Sequence, residues 1–121
     1  MSEVQELADR YVQVWNEPDV ATRRASIAKL WAPNGRHFVS DLEAEGYEAL
    51  ERRITHAYEE YVRDAGNLFR ARADAQRLRD VVTFHWEMTP AGGGEILAAG
   101  LDVLLMAKDG RILDDYQYAT P

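Results

Sequence analysis

Gly100-Leu101-Asp102-Val103-Leu104-Leu105-Met106 reads as a strand with one carboxylate set among apolar side chains. The chain then passes through Lys108-Asp109-Gly110 into a second strand, Arg111–Tyr118, so the two form a hairpin. An ionised Asp costs several kcal/mol to bury without a partner. Asp102 is therefore paired, turned to water, or held protonated in a pocket.

Working back from this hairpin, Val81–Met88 alternates. Val82, Phe84, Trp86 and Met88 share one face, and Thr83, His85 and Glu87 the other. Arg79-Asp80 turns into it from a looser alternating run, Leu68–Leu78. Pro90-Ala91-Gly92-Gly93-Gly94 is a hairpin loop leading to the strand Ile96–Ala107. It lacks the Gly-Lys-Ser/Thr ending and the following helix of a phosphate cradle.

The first half is helical. Residues 2–16 form a helix with Ser2 as N-cap and Val4, Leu7, Tyr11, Val14 and Trp15 on one face. Asn16-Glu17-Pro18-Asp19 ends it. A second helix starts near Asp19 and carries Ile27, Leu30 and Trp31 inward. Ala32-Pro33-Asn34-Gly35 predicts a stop and a turn before a short strand, Arg36–Val39. A third helix follows Gly46, with Leu50, Ile54, Tyr58 and Tyr61 as its buried stripe, and closes at Ala65-Gly66-Asn67. Helices followed by an antiparallel meander give an α+β fold, a single domain over 1–121.

With 121 residues, 46% of them apolar, the chain can bury one core. No apolar run approaches the ~20 residues of a membrane span. Glu3 and Glu6 rule out a basic-then-apolar leader, so a cytoplasmic location is expected. The absence of cysteine excludes disulfides, thiolate metal sites and Cys nucleophiles. The net charge of −7 disfavours a nucleic-acid partner. The arginines at 52, 53, 70, 72, 77 and 79 are interleaved with acids or spaced along alternate positions, which reads as a solvated face.

Several stretches, taken in order, resemble the nuclear-transport-factor-2-like, SnoaL-like superfamily. They are Arg10-Tyr11-Val12 with Trp15-Asn16 and Asp19, Leu30-Trp31-Ala32-Pro33-Asn34-Gly35-Arg36, Gly46 with Ala49-Leu50, Phe84-His85-Trp86-Glu87-Met88, Gly100-Leu101-Asp102, and Asp109-Gly110-Arg111-Ile112. The resemblance implies a cone: a curved antiparallel sheet wrapped around three N-terminal helices, with an apolar pocket at the open end. The superfamily includes ketosteroid isomerase, polyketide cyclases, epoxide hydrolases, dehydratases and noncatalytic binding modules, so the fold does not name the function.

The isomerase-type site combines an Asp base with a Tyr and a protonated Asp that donate to the dienolate oxygen. By that resemblance Tyr11, in Arg10-Tyr11-Val12, matches the Tyr, and Asp102, placed before Gly110-Arg111, matches the protonated Asp. Counting from Leu30-Trp31-Ala32, the base position holds Val39. His37 lies two residues away on the same side of its strand and could supply a base, or could be a rim histidine without a role. The epoxide-hydrolase arrangement is disfavoured, because Gln117 stands where a carboxylate is needed. The Arg-any-Asp pair of that arrangement is also missing from Val81–Met88. A polyketide-cyclase reading needs little beyond a pocket acid.

Asp115 shares a face with Gln117 and could reach the pocket mouth; alternatively one of Asp114 and Asp115 is solvated. His85 points away from Trp86 toward the outer sheet face. Trp15, Trp31, Phe38, Val39, Tyr58, Phe84, Trp86, Leu104 and Gln117 are candidates for the pocket wall, although the aromatics among them could be plain core. No metal site is predicted, since His37 and Asp102 lack a third ligand, and no cofactor is implied.

Three functions remain open. One is a cofactor-independent isomerase, cyclase or dehydratase acting on a small apolar carbonyl or enolisable molecule. The second is a noncatalytic module binding an apolar ligand. The third is a structural homodimer packed through the outer sheet face around Thr83, His85 and Glu87.

Overall fold

Three helices lie against one face of a curved, open sheet. The computed structural model describes residues 2–120. The helices are α1 (Glu3–Asn16), α2 (Val20–Leu30) and α3 (Gly46–Ala57). The strands are β1 (Trp31–Val39), β2 (Leu42–Glu45), β3 (Asn67–Ala71), β4 (Gln76–Leu78), β5 (Val81–Pro90), β6 (Ala98–Met106) and β7 (Ile112–Thr120). Their order is β2-β1-β7-β6-β5-β3, with β4 also on β5, and β2 and β3 are not joined to each other.

Local chemistry starts the first two helices. The Ser2 hydroxyl accepts from the Gln5 N–H, and the Asp19 carboxylate from the Thr22 N–H, so each satisfies a donor the helix leaves free. The α1 stripe then buries Leu7, Ala8, Tyr11, Val12, Val14 and Trp15. At its end Asn16 mimics a strand neighbour. Its side-chain amide donates to the Phe69 carbonyl, and its carbonyl accepts from the Phe69 N–H. This pins α1 to β3.

Four expectations change. The sheet is mixed rather than antiparallel throughout: β1 runs parallel to β7, with Arg36 to Val39 beside Asp114 to Gln117. Sequence patterns report hairpins, whose strands are joined by short turns, but not which distant strands meet. The stop signal at Ala32-Pro33-Asn34-Gly35 is instead a bulge inside β1. The register passes from Trp31↔Ile112 directly to Arg36↔Asp114. Pro33 has no N–H for the ladder, so the chain loops out there without ending the strand. The run Leu68–Leu78 divides into β3 and β4. Finally, α3 widens after Ala57 into a π-helical segment, Tyr58–Asp64, which shifts the stripe. Leu50, Ile54 and Ala57 are buried, whereas Tyr61 is exposed at the edge and meets the Phe69 ring at 6.3 Å.

Candidate functional site

Strand alternation brings the polar residues of interest to one place under α1. On β6, Asp102 faces inward between its cross-strand partners Phe84 and Gln117. On β7, Asp115 and Gln117 face inward, two residues apart. On β1, His37 and Val39 pair in register with Asp115 and Gln117. The α1 stripe lowers Tyr11 onto this row. The Tyr11 ring is boxed by Trp31 at 5.4 Å and Phe84 at 5.3 Å, which fix where its hydroxyl points.

The hydroxyl meets both carboxyl groups, at 2.8 Å from Asp102 Oδ2 and 2.5 Å from Asp115 Oδ2. His37 Nδ1 lies 2.7 Å from the same Asp115 oxygen. All four side chains are buried. A phenol carries one hydrogen and cannot donate to both carboxyls, so one carboxyl must donate to it.

Burial decides which. It pushes the Asp102 carboxyl well above the carboxylate range, and the neighbouring Asp115 charge pushes it further. Burial also raises Asp115, but the adjoining Asp102 carboxyl, the Tyr11 hydrogen bond and the positive charge of Arg53 hold it to about 6. Burial lowers His37 to about 4, outweighing the attraction of Asp102. Tyr11 is raised far from ionisation, again chiefly by burial. Near neutral pH the chain of hydrogen bonds therefore runs one way. Asp102 Oδ2–H donates to Tyr11, the Tyr11 O–H donates to the Asp115 carboxylate, and His37 Nδ1–H donates to the same carboxylate. The atoms left without a partner include Asp102 Oδ1 and His37 Nε2.

A cavity of about 260 Å³ adjoins this network. Tyr11, Trp15, Val39, Trp86, Asp102 and Gln117 line it, as does Arg53 from α3. The remaining wall is apolar, with Val12, Ala57, Phe69, Met88 and Ala98, and Tyr61 at its edge. Trp86 lies flat on Gly100: a Cβ there would come 2.3 Å from the indole, so only glycine admits this placement.

Other residues expected on the wall lie elsewhere. Trp31, Phe84 and Leu104 are buried in the core and do not line the cavity. Phe38 faces the opposite side and stacks on Tyr116, with ring centroids 5.0 Å apart. Tyr58 is covered by the buried Arg23, whose guanidinium carbon is 4.6 Å from its ring. His37 is not on the cavity wall; it sits behind Asp115, against the Trp15 ring. Asp115 is fully buried rather than at the mouth, and Asp114 pairs outward with Arg36. Arg53, read as part of a solvated face, lines the cavity. The helical period separates Arg53 from the exposed Arg52, a signal visible only once the buried face of α3 is known. Arg70 and Arg72 both pair with Glu87, and His85 pairs with Asp74.

No protein-family model matches this sequence, and no curated protein shows significant similarity to it. Solved structures do. A provisionally assigned isomerase of the SnoaL-like family from Agrobacterium tumefaciens superposes with a TM-score of 0.89 over all of both chains, at 24% identity. An NTF2-like protein of unknown function from Exiguobacterium gives 0.71 at 16% identity, covering 94% of this chain and 98% of the other. A provisionally assigned polyketide cyclase from Sinorhizobium meliloti gives 0.65 at 13% identity over 93% of each chain. The chain has the α+β cone fold shared by the NTF2-like and SnoaL-like proteins.

Proposed function

We propose that this NTF2-like chain binds a small, largely apolar molecule bearing a carbonyl or enolisable group in the cavity beside Asp102, and moves a proton on it. The observation that carries the reading is the Tyr11 hydroxyl held between two buried carboxyls, one of which lines the cavity. Asp102 Oδ1 has no protein partner and is the oxygen left to meet a ligand. A proton taken there from carbon leaves its electron pair on the ligand as an enolate. In the same movement the Asp102 Oδ2 proton passes to Tyr11, and the Tyr11 proton to Asp115. Asp115 is thus the base, acting through two neighbours. A carboxyl near 6 suits proton transfer at neutral pH. His37 orients Asp115 by its Nδ1 contact. Return of the proton at another carbon would make the reaction an isomerisation; loss of a leaving group would make it a dehydration.

The test is deuterium exchange at the α-carbon of a small ketone such as 4-phenyl-2-butanone, followed by NMR in D2O. Exchange above the buffer rate that is lost in Asp102→Asn and Asp115→Asn supports the reading. Binding without exchange leaves the second reading, a noncatalytic ligand module. That alternative is favoured by Val39, an inert residue on the wall at the position where the isomerase resemblance puts the base.

We also propose a homodimer through the outer sheet face. Leu105, Tyr116 and Tyr118 are exposed there, on the side of the sheet away from the helices, next to Thr83, His85 and Glu87.

A further inference from the structure

Arg53 differs from the arginines around it. Arg24, Arg52, Arg70 and Arg72 each meet a carboxylate. Among the described residues no carboxylate lies within ion-pair distance of Arg53, and its Nε is buried with no acceptor. Its guanidinium carbon sits 5.2 Å from the centroid of the Trp15 ring. The Trp15 Nε1–H is likewise a buried donor with no acceptor. Both residues line the same cavity.

Two unmatched donors, one of them on a cation, are costly on an apolar wall. A ligand oxygen placed there removes the cost. Arg53 is the cation among the lining residues, and the rest of the wall is mostly hydrocarbon. One guanidinium with one neutral N–H suits a planar monoanion of low charge density. A phosphate dianion calls for more donors.

We propose that the cavity takes a small apolar carboxylic acid, bound as its carboxylate, with oxygens accepting from Arg53 and from Trp15 Nε1–H. This deepens the reading above and rests on the cavity being a ligand site. The carboxylate end anchors the molecule, and its apolar body lies along Val39, Phe69, Trp86 and Met88 toward Asp102. Arg53 is then a specificity residue and takes no part in the proton transfer.

The probes are matched pairs: hexanoate against hexanamide, and 3-phenylpropanoate against 3-phenylpropanamide. Binding is followed by calorimetry and by Trp fluorescence. In the native protein the acids should bind about tenfold or more tightly than the amides. Arg53→Met, which keeps the aliphatic stem, should abolish the difference by weakening the acids far more than the amides, and Arg53→Lys should restore part of it. Trp15→Phe should weaken acids several-fold and amides less. Equal binding of acid and amide by the native protein would overturn the carboxylate assignment and leave the ligand-site reading standing. Failure of both members of each pair to bind would overturn both.

Discussion

The Tyr11 hydroxyl reaches Asp115 Oδ2 at 2.5 Å across 104 positions of sequence, and no local element connects the two. The contact exists because α1 packs across β3 and β5, and Trp31 and Phe84 hold the phenol ring in place. Removing the hydroxyl strips both carboxyls of a partner at once. Tyr11→Phe should lower stability by about 1–3 kcal/mol, as expected for a buried polar group left unsatisfied, measured by urea unfolding at pH 7. It should also reduce any α-proton exchange by about a hundredfold or more, since the relay is cut. An unchanged exchange rate would show that Asp102 works without it.

The pH dependence of stability follows from opposed groups. Folding depresses His37 from 6.5 to about 4, so the unfolded chain gains a proton that the folded one does not. That contribution is present above 6.5 and is lost as pH falls toward 4. Folding raises Asp115 from 3.8 to about 6, so its contribution is present below 3.8 and lost as pH rises through 6. Each has a limiting slope of about 1.4 kcal/mol per pH unit, and between pH 6 and 4 they oppose one another. The pair should therefore leave stability nearly level over that range. Asp115→Asn should make it fall steeply with acid, and His37→Asn should make it rise. Denaturant midpoints at pH 4, 5 and 6 check this; parallel profiles for both variants would contradict it. Asp102, raised further, should cost stability as pH climbs through its own titration.

Gly100 is where backbone and cavity meet. In Gly100→Ala the new methyl overlaps the Trp86 indole, which must swing away from β6. Overpacking of this kind costs about 1–3 kcal/mol. Because Trp86 lines the cavity, probe binding should weaken more than stability does. Thermal melting together with ligand titration separates the two effects; a variant binding like the native protein would show that Trp86 has room to move.

The proposed dimer predicts a solution mass twice the 13.8 kDa of the chain by light scattering. Leu105→Asp with Tyr118→Asp places charges on the outer face and should yield a monomer that stays folded, because both residues are exposed in the single chain. A native protein that is already monomeric would refute the interface.

Much of the fold is legible in sequence because its signals are local. Ser2 and Asp19 cap helices, Leu50 and Ile54 mark a helix face, and Asp109-Gly110 turns the last hairpin. The bulge at Ala32-Pro33-Asn34-Gly35 was not legible, since the same residues serve a turn equally well. The parallel pairing of β1 with β7 was not legible either, because it joins strands far apart in the chain. For the candidate site, Tyr11 and Asp102 could be named from resemblance, but Asp115 and Arg53 could not be placed. Asp115 and Asp114 are adjacent acids, and only the pairing with β1 and β6 sends one inward and the other to Arg36.

By itself the sequence determined the first two helices, the start of the third and the hairpins of β5, β6 and β7: capping residues, apolar periods and glycine turns act over a few positions, where the chain's own geometry is decisive. The tertiary structure decided the chemistry. A carboxyl in an apolar strand has no set protonation state until burial and neighbours are known. Those neighbours, Asp115, Tyr11 and His37, come from one helix and two strands that meet only when the sheet curves around them.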